Sequence, residues 1–245
     1  FGSMRSGTSS LYHALTDHPH ILPALRKQAN YFDANYERGL RWYRSHFPTR
    51  RAARHLERRV GAPVITGEAS PEYIFCPEAP ARIARDLPEV RLIALLRNPV
   101  DRAWSHYHHS RRLGEEQLSF EEALVAEPQR LGDTDPAQAA RALHVHGYLA
   151  QGRYADFLTS WYQLFDAQRI LILRAEDMFA DPHATIEQVV QFLGLPSWSP
   201  ARYEPLNEGR YGQMSPQLRA ELVELFREPN QRLAELIGRD MGWDR

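Results

Sequence analysis

Cysteine and lysine are nearly absent from this chain of 245 residues. Its one cysteine, Cys76, excludes an internal disulfide and favours a reducing compartment, so we expect a cytoplasmic protein. Lys27 is the single lysine among 30 basic residues, and this arginine bias is typical of a GC-rich bacterial genome. No apolar run reaches the roughly 18 residues that a membrane-spanning helix needs, so we expect no membrane span.

The net charge of −1 gives no electrostatic footprint for nucleic acid or for an anionic membrane. Hydrophobic residues make up 43% of the chain, which is enough to build a sizeable core. The histidines and carboxylates show none of the spacings of common metal motifs, so we expect no metal site. A length of 245 residues suits one domain.

Apolar runs alternate with helical periodicities, which predicts an α/β fold with an open, mostly parallel sheet and helices on both faces. Leu92–Leu96 and Ile170–Leu173 are expected to be buried strands. The expected helices cover residues 5–17, 36–46, 80–87, 120–126, 182–192, one or two stretches within 139–165, and a final helix from residue 216. Leu225 is expected to face the core from that last helix, and residues 132–138 and 203–214 are expected to be loops.

Residues 4–15 are the most informative segment, because a small, hydroxyl-rich turn runs directly into an apolar-periodic helix. Gly7 permits a tight turn and a close approach of the backbone to a ligand. The next residues offer hydroxyls and the free N–H groups of a first helical turn, where the helix dipole favours an anion. Arg5 adds a cation with a planar fork of donors. The predicted phosphate or sulfonate site consists of Arg5, Ser6, Gly7, Thr8, Ser9 and Ser10.

This loop is P-loop-like but differs from an ATP-binding loop, because it has a single glycine and no lysine before Thr8. A serine or threonine at a helix start is also compatible with a plain N-cap, and this segment alone leaves that alternative open.

A second anion site is predicted where the strand Leu92–Leu96 ends. Arg97 stands at the carboxyl end of the strand, the edge of an open α/β sheet where ligands bind. Pro99 suits the first position of the next helix, and Asp101 suits the positive end of the helix dipole. Ser105 follows about two turns along that helix.

Together these segments resemble the sulfotransferases that use 3'-phosphoadenosine 5'-phosphosulfate (PAPS). In that family the first loop holds the 5'-phosphosulfate, and the strand-end arginine and the helix serine hold the 3'-phosphate. Arg97 and Ser105 match those positions, and Arg5 stands where the family usually has lysine. The resemblance implies PAPS as donor, its product adenosine 3',5'-bisphosphate (PAP), and no metal.

Most of the chain resembles the glycan-sulfating branch, as in heparan sulfate sulfotransferases. The matching pieces are Tyr31-Phe32-Asp33, Gly39-Leu40, Trp42-Tyr43, Phe47-Pro48, Gly67-Glu68-Ala69-Ser70-Pro71, Gly152-Arg153-Tyr154 and Phe192-Leu193-Gly194-Leu195. Asn207-Glu208-Gly209-Arg210-Tyr211 looks like the loop that closes over the cofactor, so Gly209, Arg210 and Tyr211 are expected to bind it. The resemblance implies a single sulfotransferase domain over residues 1–245, with the family's first strand cut off before residue 1.

The residue that removes the acceptor proton is not obvious. The branch usually has a glutamate where this chain has Gln28, and a neutral amide cannot take up a proton. His109 lies one turn beyond Ser105 on the same helix face and is a candidate base, although it also reads as a surface histidine. Glu68, at a strand end, is the second candidate, or it orients Arg5. Lys27 contacts the transferred sulfonate or an anionic acceptor, or is simply solvated.

The acceptor is expected to be a small or amphipathic hydroxyl compound: a natural-product alcohol, a phenol or a glycan. Ala69 replaces a substrate-contacting lysine of the family, which weakens the case for a highly sulfated glycan. The aromatic residues Tyr31, Phe32, Trp42, Tyr43 and Tyr73 suit an amphipathic pocket, or else they are core.

Two other functions stay open. Gln28 and Ala69 are compatible with a catalytically weak module that binds PAPS or PAP and regulates a partner. A P-loop kinase is the third possibility, but the chain lacks its lysine and an obvious magnesium-binding acid after a strand.

Overall fold

The computed structural model describes residues 1–132, 135–200, 202–204, 206, 209 and 211–244. The chain divides into two compact units. The first unit comprises Phe1–Ser3, Gly7–Leu96 and Leu164–Asn207. The second unit comprises Met4–Ser6, Arg97–Gln163 and Glu208–Arg245.

Helices and strands alternate through much of the described chain. The helices are α1 (Thr8–Thr16), α2 (Gly39–Arg44), α3 (Arg50–Val60), α4 (Ala79–Asp86), α5 (Pro99–Leu113), α6 (Phe120–Arg130), α7 (Pro136–His146), α8 (Tyr154–Leu164), α9 (Ala175–Ala180), α10 (Pro182–Leu193) and α11 (Pro216–Ile237). The strands are β1 (Ile21–Pro23), β2 (Ile65–Gly67), β3 (Leu92–Leu96) and β4 (Ile170–Arg174). Short 3-10 turns cover Tyr36–Arg38, Pro71–Phe75, Ala150–Gly152 and Ala167–Arg169.

Every strand pair among the described residues is parallel. In the first unit β1 pairs with β2, and β3 pairs with β4. Gly2 forms a parallel bridge with Leu95, and the Ser3 amide donates to the Leu95 carbonyl at 3.1 Å. The predicted α/β class with parallel strands is therefore confirmed.

The core of the first unit lies where α1, α9 and α10 pack on β3 and β4. Its buried side chains are Leu11, Ala14, Leu95, Leu173, Ala175, Met178, Ile186, Val189 and Val190. The expected strand Leu92–Leu96 is buried along nearly its whole length, as a continuous apolar run in a parallel sheet should be.

The second unit is helical, and α5 runs through its core. Buried side chains of α5, α6 and α11 pack together with Tyr148, and they include Val100, Ala103, Phe120, Leu222 and Phe226. Arg219 of α11 forms a two-pronged ion pair with Asp101 of α5, with its shorter distance at 2.6 Å. That pair fixes the first turn of α5.

Several predicted boundaries are wrong for local reasons. The first helix begins at Thr8 instead of residue 5, because Arg5 and Gly7 have left-handed φ angles of 65° and 92°. The expected helix over 36–46 splits at Gly39, whose φ is 78°. The expected loop 132–138 ends early, because Asp135 caps α7, which begins at Pro136. Leu225 is 47% exposed and does not face the core.

Among the described residues, no helix is both long enough and apolar enough to cross a membrane.

Each of the two units contains one buried histidine that is neutral and accepts a hydrogen bond, His18 in the first and His106 in the second. His18 accepts from the His20 amide at Nδ1 (3.0 Å), so its Nε2 donates to the Pro196 carbonyl at 3.1 Å. His106, fully buried on α5, accepts at Nδ1 from Arg102 at 3.3 Å. Burial lowers the pKa of both imidazoles, and the positive charge of Arg102 lowers that of His106 further.

The free energy of unfolding should therefore fall as the pH drops from about 7 to about 5. The unfolded chain takes up protons near pH 6.5, whereas the folded His106 resists them, so acid favours the unfolded state. Urea unfolding at a series of pH values measures the fall in the free energy of unfolding. His106→Gln should make that free energy depend less steeply on pH. An unchanged slope in that variant would contradict this assignment.

Candidate functional site

The N-terminus of α1 has the features of an anion site. Its N-cap is Gly7, which has no side chain to cap the helix. The Leu11 amide makes the first helical bond, to the Gly7 carbonyl at 3.1 Å. The amides of Thr8, Ser9 and Ser10 have no hydrogen-bond partner among the described residues. Three unpaired N–H groups at the positive end of a helix dipole favour an anion.

Two features favour glycine at position 7. Its φ of 92° is unfavourable for other residues, and an added Cβ would lie 2.5 Å from Cε of Met178. The same Cβ would lie 3.1 Å from the ring of Phe179. The backbone of the loop therefore packs directly against α9.

Two of the predicted loop hydroxyls are buried. Ser6 is completely buried, and Ser10 is 4% exposed. The Ser10 hydroxyl accepts a hydrogen bond from the Leu206 amide at 2.9 Å. Ser10 thus ties Leu206 to α1.

In the second unit, Arg5, Arg97 and Ser105 form one cluster. Nε of Arg5 donates to the hydroxyl of Ser105 at 3.2 Å. Nη1 of Arg97 donates to the carbonyl of Arg5 at 2.9 Å. Ser105 is 1% exposed on α5. The structure therefore brings together three residues that the sequence analysis assigned to anion binding from distant segments.

Arg5 is held in an unfavourable state. Its left-handed φ of 65° is uncommon for a residue with a side chain. Burial lowers the pKa of its guanidinium, and the positive charges of Arg112 and Arg97 lower it further. The ordinary pKa lies so high that Arg5 stays charged. A bound anion would relieve this crowding of positive charge.

The backbone of Arg97 is held between the end of β3 and the start of α5. The strand β3 ends at Leu96, and the Asn98 side chain caps α5 by accepting from the Val100 and Asp101 amides. The buried hydroxyl of Tyr154 donates to the Arg97 carbonyl at 2.8 Å. This contact explains why Tyr154 follows Gly152-Arg153 in a motif noted in the sequence.

His109 lies one turn beyond Ser105 and contacts Arg112, whose Nη2 is 3.0 Å from its Nδ1. A guanidinium can only donate, so Nδ1 is the acceptor and the neutral ring carries its proton on Nε2. Burial lowers the pKa of His109, and the charges of Arg5 and Arg112 lower it further, while Glu115 opposes them. His109 therefore presents an N–H donor at Nε2.

Tyr211 and Gly212 are held by α5 through an aromatic contact and a hydrogen bond. The rings of His108 and Tyr211 stack at a centroid distance of 4.6 Å, and Nε1 of Trp104 donates to the Gly212 carbonyl at 2.9 Å. Gly209 fits because a Cβ there would lie 2.2 Å from the Tyr211 ring. The predicted cofactor residue Arg210 lies outside the described residues. The i, i+4 pair of Trp104 and His108 was the sequence signal for these contacts.

Glu68 is a hub of hydrogen bonds in the first unit. Its carboxylate accepts from the Ala29 amide (3.0 Å), the Ser70 hydroxyl (2.5 Å) and the Tyr73 hydroxyl (2.7 Å). Those hydroxyls in turn accept from the amides of Asn30 and Tyr31. Glu68 therefore fixes the segment that follows Gln28.

Lys27 and Gln28 begin that segment. The Lys27 carbonyl accepts from the Ala69 amide at 2.7 Å, which aligns residues 27–31 with residues 68–73. Burial lowers the pKa of the Lys27 ammonium, and the Glu68 carboxylate opposes this shift. The ammonium has no hydrogen-bond partner among the described residues, and Gln28 is exposed.

The aromatic residues expected to line an acceptor pocket are largely core. Tyr31, Phe32, Tyr43 and Tyr73 are each at most 6% exposed. Tyr31 stacks on Tyr43 at 4.8 Å, and Phe32 meets the Tyr73 ring edge-on at 5.6 Å. Their apolar area is more stable packed together than facing a ligand, so the pocket interpretation is wrong for these four. Trp42 is only partly buried.

Among the residues that the structure describes, no group of three or more histidine, cysteine, aspartate or glutamate side chains is placed to hold a metal ion.

Comparison with known proteins gives a consistent family. The family model described as "Sulfotransferase domain" matches residues 1–210. Human heparan sulfate glucosamine 3-O-sulfotransferase 6 is 31% identical over 99% of this chain and 72% of that protein. The membrane-associated sulfotransferase kil1 of Dictyostelium discoideum is 26% identical over 99% of this chain. This chain spans 65% of the length of kil1.

A solved structure supports the fold. The crystal structure of a sulfotransferase from Alicyclobacillus acidocaldarius matches with a TM-score of 0.73 and 30% identity. The match covers 100% of this chain and 96% of that one.

The hydrogen bonds of Glu68 generate a stability prediction. Glu68→Gln should lower the free energy of unfolding by about 1–3 kcal/mol, because an amide nitrogen would then face one of three donors. Chemical denaturation measures the change, and the exposed Glu37→Gln is the matched control. Equal stability of the two variants would remove Glu68 as the residue that fixes segment 27–31.

Proposed function

The chain belongs to the sulfotransferase domain family, and we propose that it transfers a sulfuryl group from PAPS to a hydroxyl group. The observation that carries this proposal is the N-terminus of α1, with three unpaired amides after a turn whose backbone conformation favours glycine. Such an end suits the charged oxygens of a phosphosulfate. PAPS supplies the activated sulfonate, and the chain's own residues bind and orient it.

Each anionic group of PAPS fits residues that the structure describes. The amides of Thr8, Ser9 and Ser10 would bind the 5'-phosphosulfate. Arg97 and Ser105 would bind the 3'-phosphate, since a strand-end guanidinium and a helix hydroxyl both donate to phosphate oxygens. Binding would also redistribute the donors of the cluster, because Arg97 and Ser105 already contact Arg5.

Arg5 is the residue best suited to the leaving group. Sulfuryl transfer resembles phosphoryl transfer, in which the protein mainly positions the groups and stabilises charge on the bridging oxygen. A buried guanidinium held in one backbone conformation loses little freedom when it meets that oxygen. Arg5 would therefore act in the transition state more than in binding.

The hydrogen bonds of Glu68 and His109 favour other roles for these residues than that of the base that removes the acceptor proton. Glu68 already accepts three hydrogen bonds, and Nδ1 of His109 already accepts from Arg112. His109 would then donate from Nε2 to a sulfonate or acceptor oxygen and stabilise charge. An acceptor whose hydroxyl loses its proton readily suits such a site. A phenol, with a pKa near 10, fits it better than an alcohol.

The acceptor class proposed is accordingly a small or amphipathic hydroxyl compound, with phenols preferred. Lys27, half-buried and without a hydrogen-bond partner for its ammonium among the described residues, would contact the sulfonate or an anionic group of the acceptor. Gly209 and Tyr211 would cover the nucleotide. The similar proteins are named as sulfotransferases, so they give no support to a purely regulatory nucleotide-binding module.

The compartment and the domain organisation are part of the same proposal. A single cysteine and a single lysine support a bacterial, cytoplasmic enzyme. We infer one sulfotransferase domain over residues 1–245, because α11 packs on α5, the helix that carries Ser105.

The nucleotide assignment predicts a preference for PAP over AMP, measured by titration calorimetry. Arg97→Ala should weaken PAP binding by about 10- to 100-fold, the loss of a charge-assisted hydrogen bond of roughly 1.5–3 kcal/mol. AMP binding should change much less. Arg174→Ala, at the end of β4 and paired with Asp177, is the matched control. Equal PAP affinity in the Arg97 variant and the wild type would refute the site.

Turnover of PAPS with a panel of phenols and alcohols tests the activity itself. His109→Gln keeps a side-chain N–H donor but cannot take up a proton, whereas His109→Ala has neither. If His109 donates, the Gln variant should keep most of the wild-type kcat and the Ala variant should lose about 10²-fold or more. If His109 is the base, both variants should be equally impaired, and the wild-type rate should rise with pH through the lowered pKa of His109, below the ordinary value of about 6.5.

A further inference from the structure

Charge is unevenly distributed along this nearly neutral chain. Residues 41–59 contain seven arginines and one acidic residue, Glu57. Five of the arginines lie on α3, and all five are exposed. We call them the α3 basic face: Arg50, Arg51, Arg54, Arg58 and Arg59.

The α3 basic face has no electrostatic partner among the described residues. None of its five guanidiniums forms an ion pair or a hydrogen bond there. The arginines of α11 behave differently: Arg219 pairs with Asp101, Arg227 with Glu224, and Arg232 with Asp156. The unpaired state of its arginines thus distinguishes α3 from α11, whose arginines are all paired.

The arginines of α3 repeat at helical spacing. Arg50, Arg54 and Arg58 form one row at i, i+4 and i+8, with about 6 Å of rise between successive members. A second row holds Arg51, His55 and Arg59. Like charges at this spacing weaken a helix, so the arrangement works against the stability of α3. It is explained if an anionic surface neutralises the charges.

The opposite side of α3 is attached to the first unit. Ala53, Leu56 and Val60 are partly buried there, and no residue of α3 exposes a large apolar side chain. The helix is well formed, because the Thr49 hydroxyl accepts from the Ala52 amide and Gly61 ends it with a φ of 73°. α3 therefore presents charge without an apolar stripe that could insert.

We propose that the α3 basic face docks this protein on an anionic lipid membrane surface through headgroup phosphates. A cluster of four to eight basic residues on one amphipathic helix is the usual composition for this kind of attachment. The two rows cover about half of the helix circumference and form a face, which suits a plane of charges better than a single linear polyanion.

Neighbouring residues also fit a lipid surface better than nucleic acid. Trp42 has the Arg38 guanidinium over its ring at 5.0 Å and the His46 ring beside it in a T-shaped contact at 4.3 Å, so it is less available for stacking a base. Leu25 is 78% exposed, and its amide donates to the His46 carbonyl at 2.8 Å. It places one apolar side chain beside the segment that leads into α3.

Sedimentation of the whole chain with lipid vesicles tests the proposal. The protein should bind phosphatidylglycerol-containing vesicles and not phosphatidylcholine vesicles. Binding should be lost between about 0.1 M and about 1 M salt, where the Debye length falls from about 10 to about 3 Å. The triple variant Arg50→Gln, Arg54→Gln, Arg58→Gln should bind about 100-fold more weakly, since each arginine near the surface contributes about five-fold.

The matched control is Arg85→Gln, Arg202→Gln, Arg227→Gln, which removes the same charge from exposed, paired positions. It should bind vesicles like the wild type, and an equal loss would show that net charge alone is responsible. Arg51→Gln with Arg59→Gln tests the second row independently. Both α3 variants should melt at or above the wild-type temperature. The proposal would be overturned if the wild-type protein did not bind anionic vesicles, or if it bound only heparin or duplex DNA.

Discussion

The bond from Arg97 to the carbonyl of Arg5 is the contact on which the arrangement of the loop depends. It links the end of β3 to a residue that lies 92 positions earlier in the chain. The Arg5 carbonyl accepts from Arg97, and the backbone of Arg5 is in the left-handed region. The Arg5 side chain donates to the Ser105 hydroxyl. One donor thus helps to hold the backbone of Arg5 in the position from which its guanidinium reaches Ser105.

Helix α5 supports that arrangement along most of its length. Its cap residue Asn98 fixes the turn after Arg97, and Ser105 contacts Arg5. Trp104 and His108 hold the segment around Tyr211. A rigid helix with one buried side and several polar side chains is a precise support for a binding site, since its residues keep fixed spacings. Function is concentrated on α5 for this reason.

Local signals explain which parts of the structure could be predicted from the sequence. Gly7 predicts a tight turn, Pro99 predicts a helix start, and Leu92–Leu96 predicts a buried strand, because each depends on its immediate neighbours. The hydrogen bonds of Glu68 and the contact between His109 and Arg112 depend on which side-chain partners meet in space. The spacing of residues along the sequence does not predict these side-chain contacts. The sequence left core and pocket both open for the aromatic residues near Tyr31 for a related reason, since both require the same residue types.

The half-buried Lys27 has a chemical consequence. It carries the one side-chain amine of the chain, and burial shifts its pKa downward. A larger fraction of this amine is therefore unprotonated and nucleophilic near neutral pH than that of a solvated lysine. An acylating reagent directed at ε-amines would label a single position, beside the segment fixed by Glu68. The molecule thus contains a natural attachment point for a spectroscopic probe.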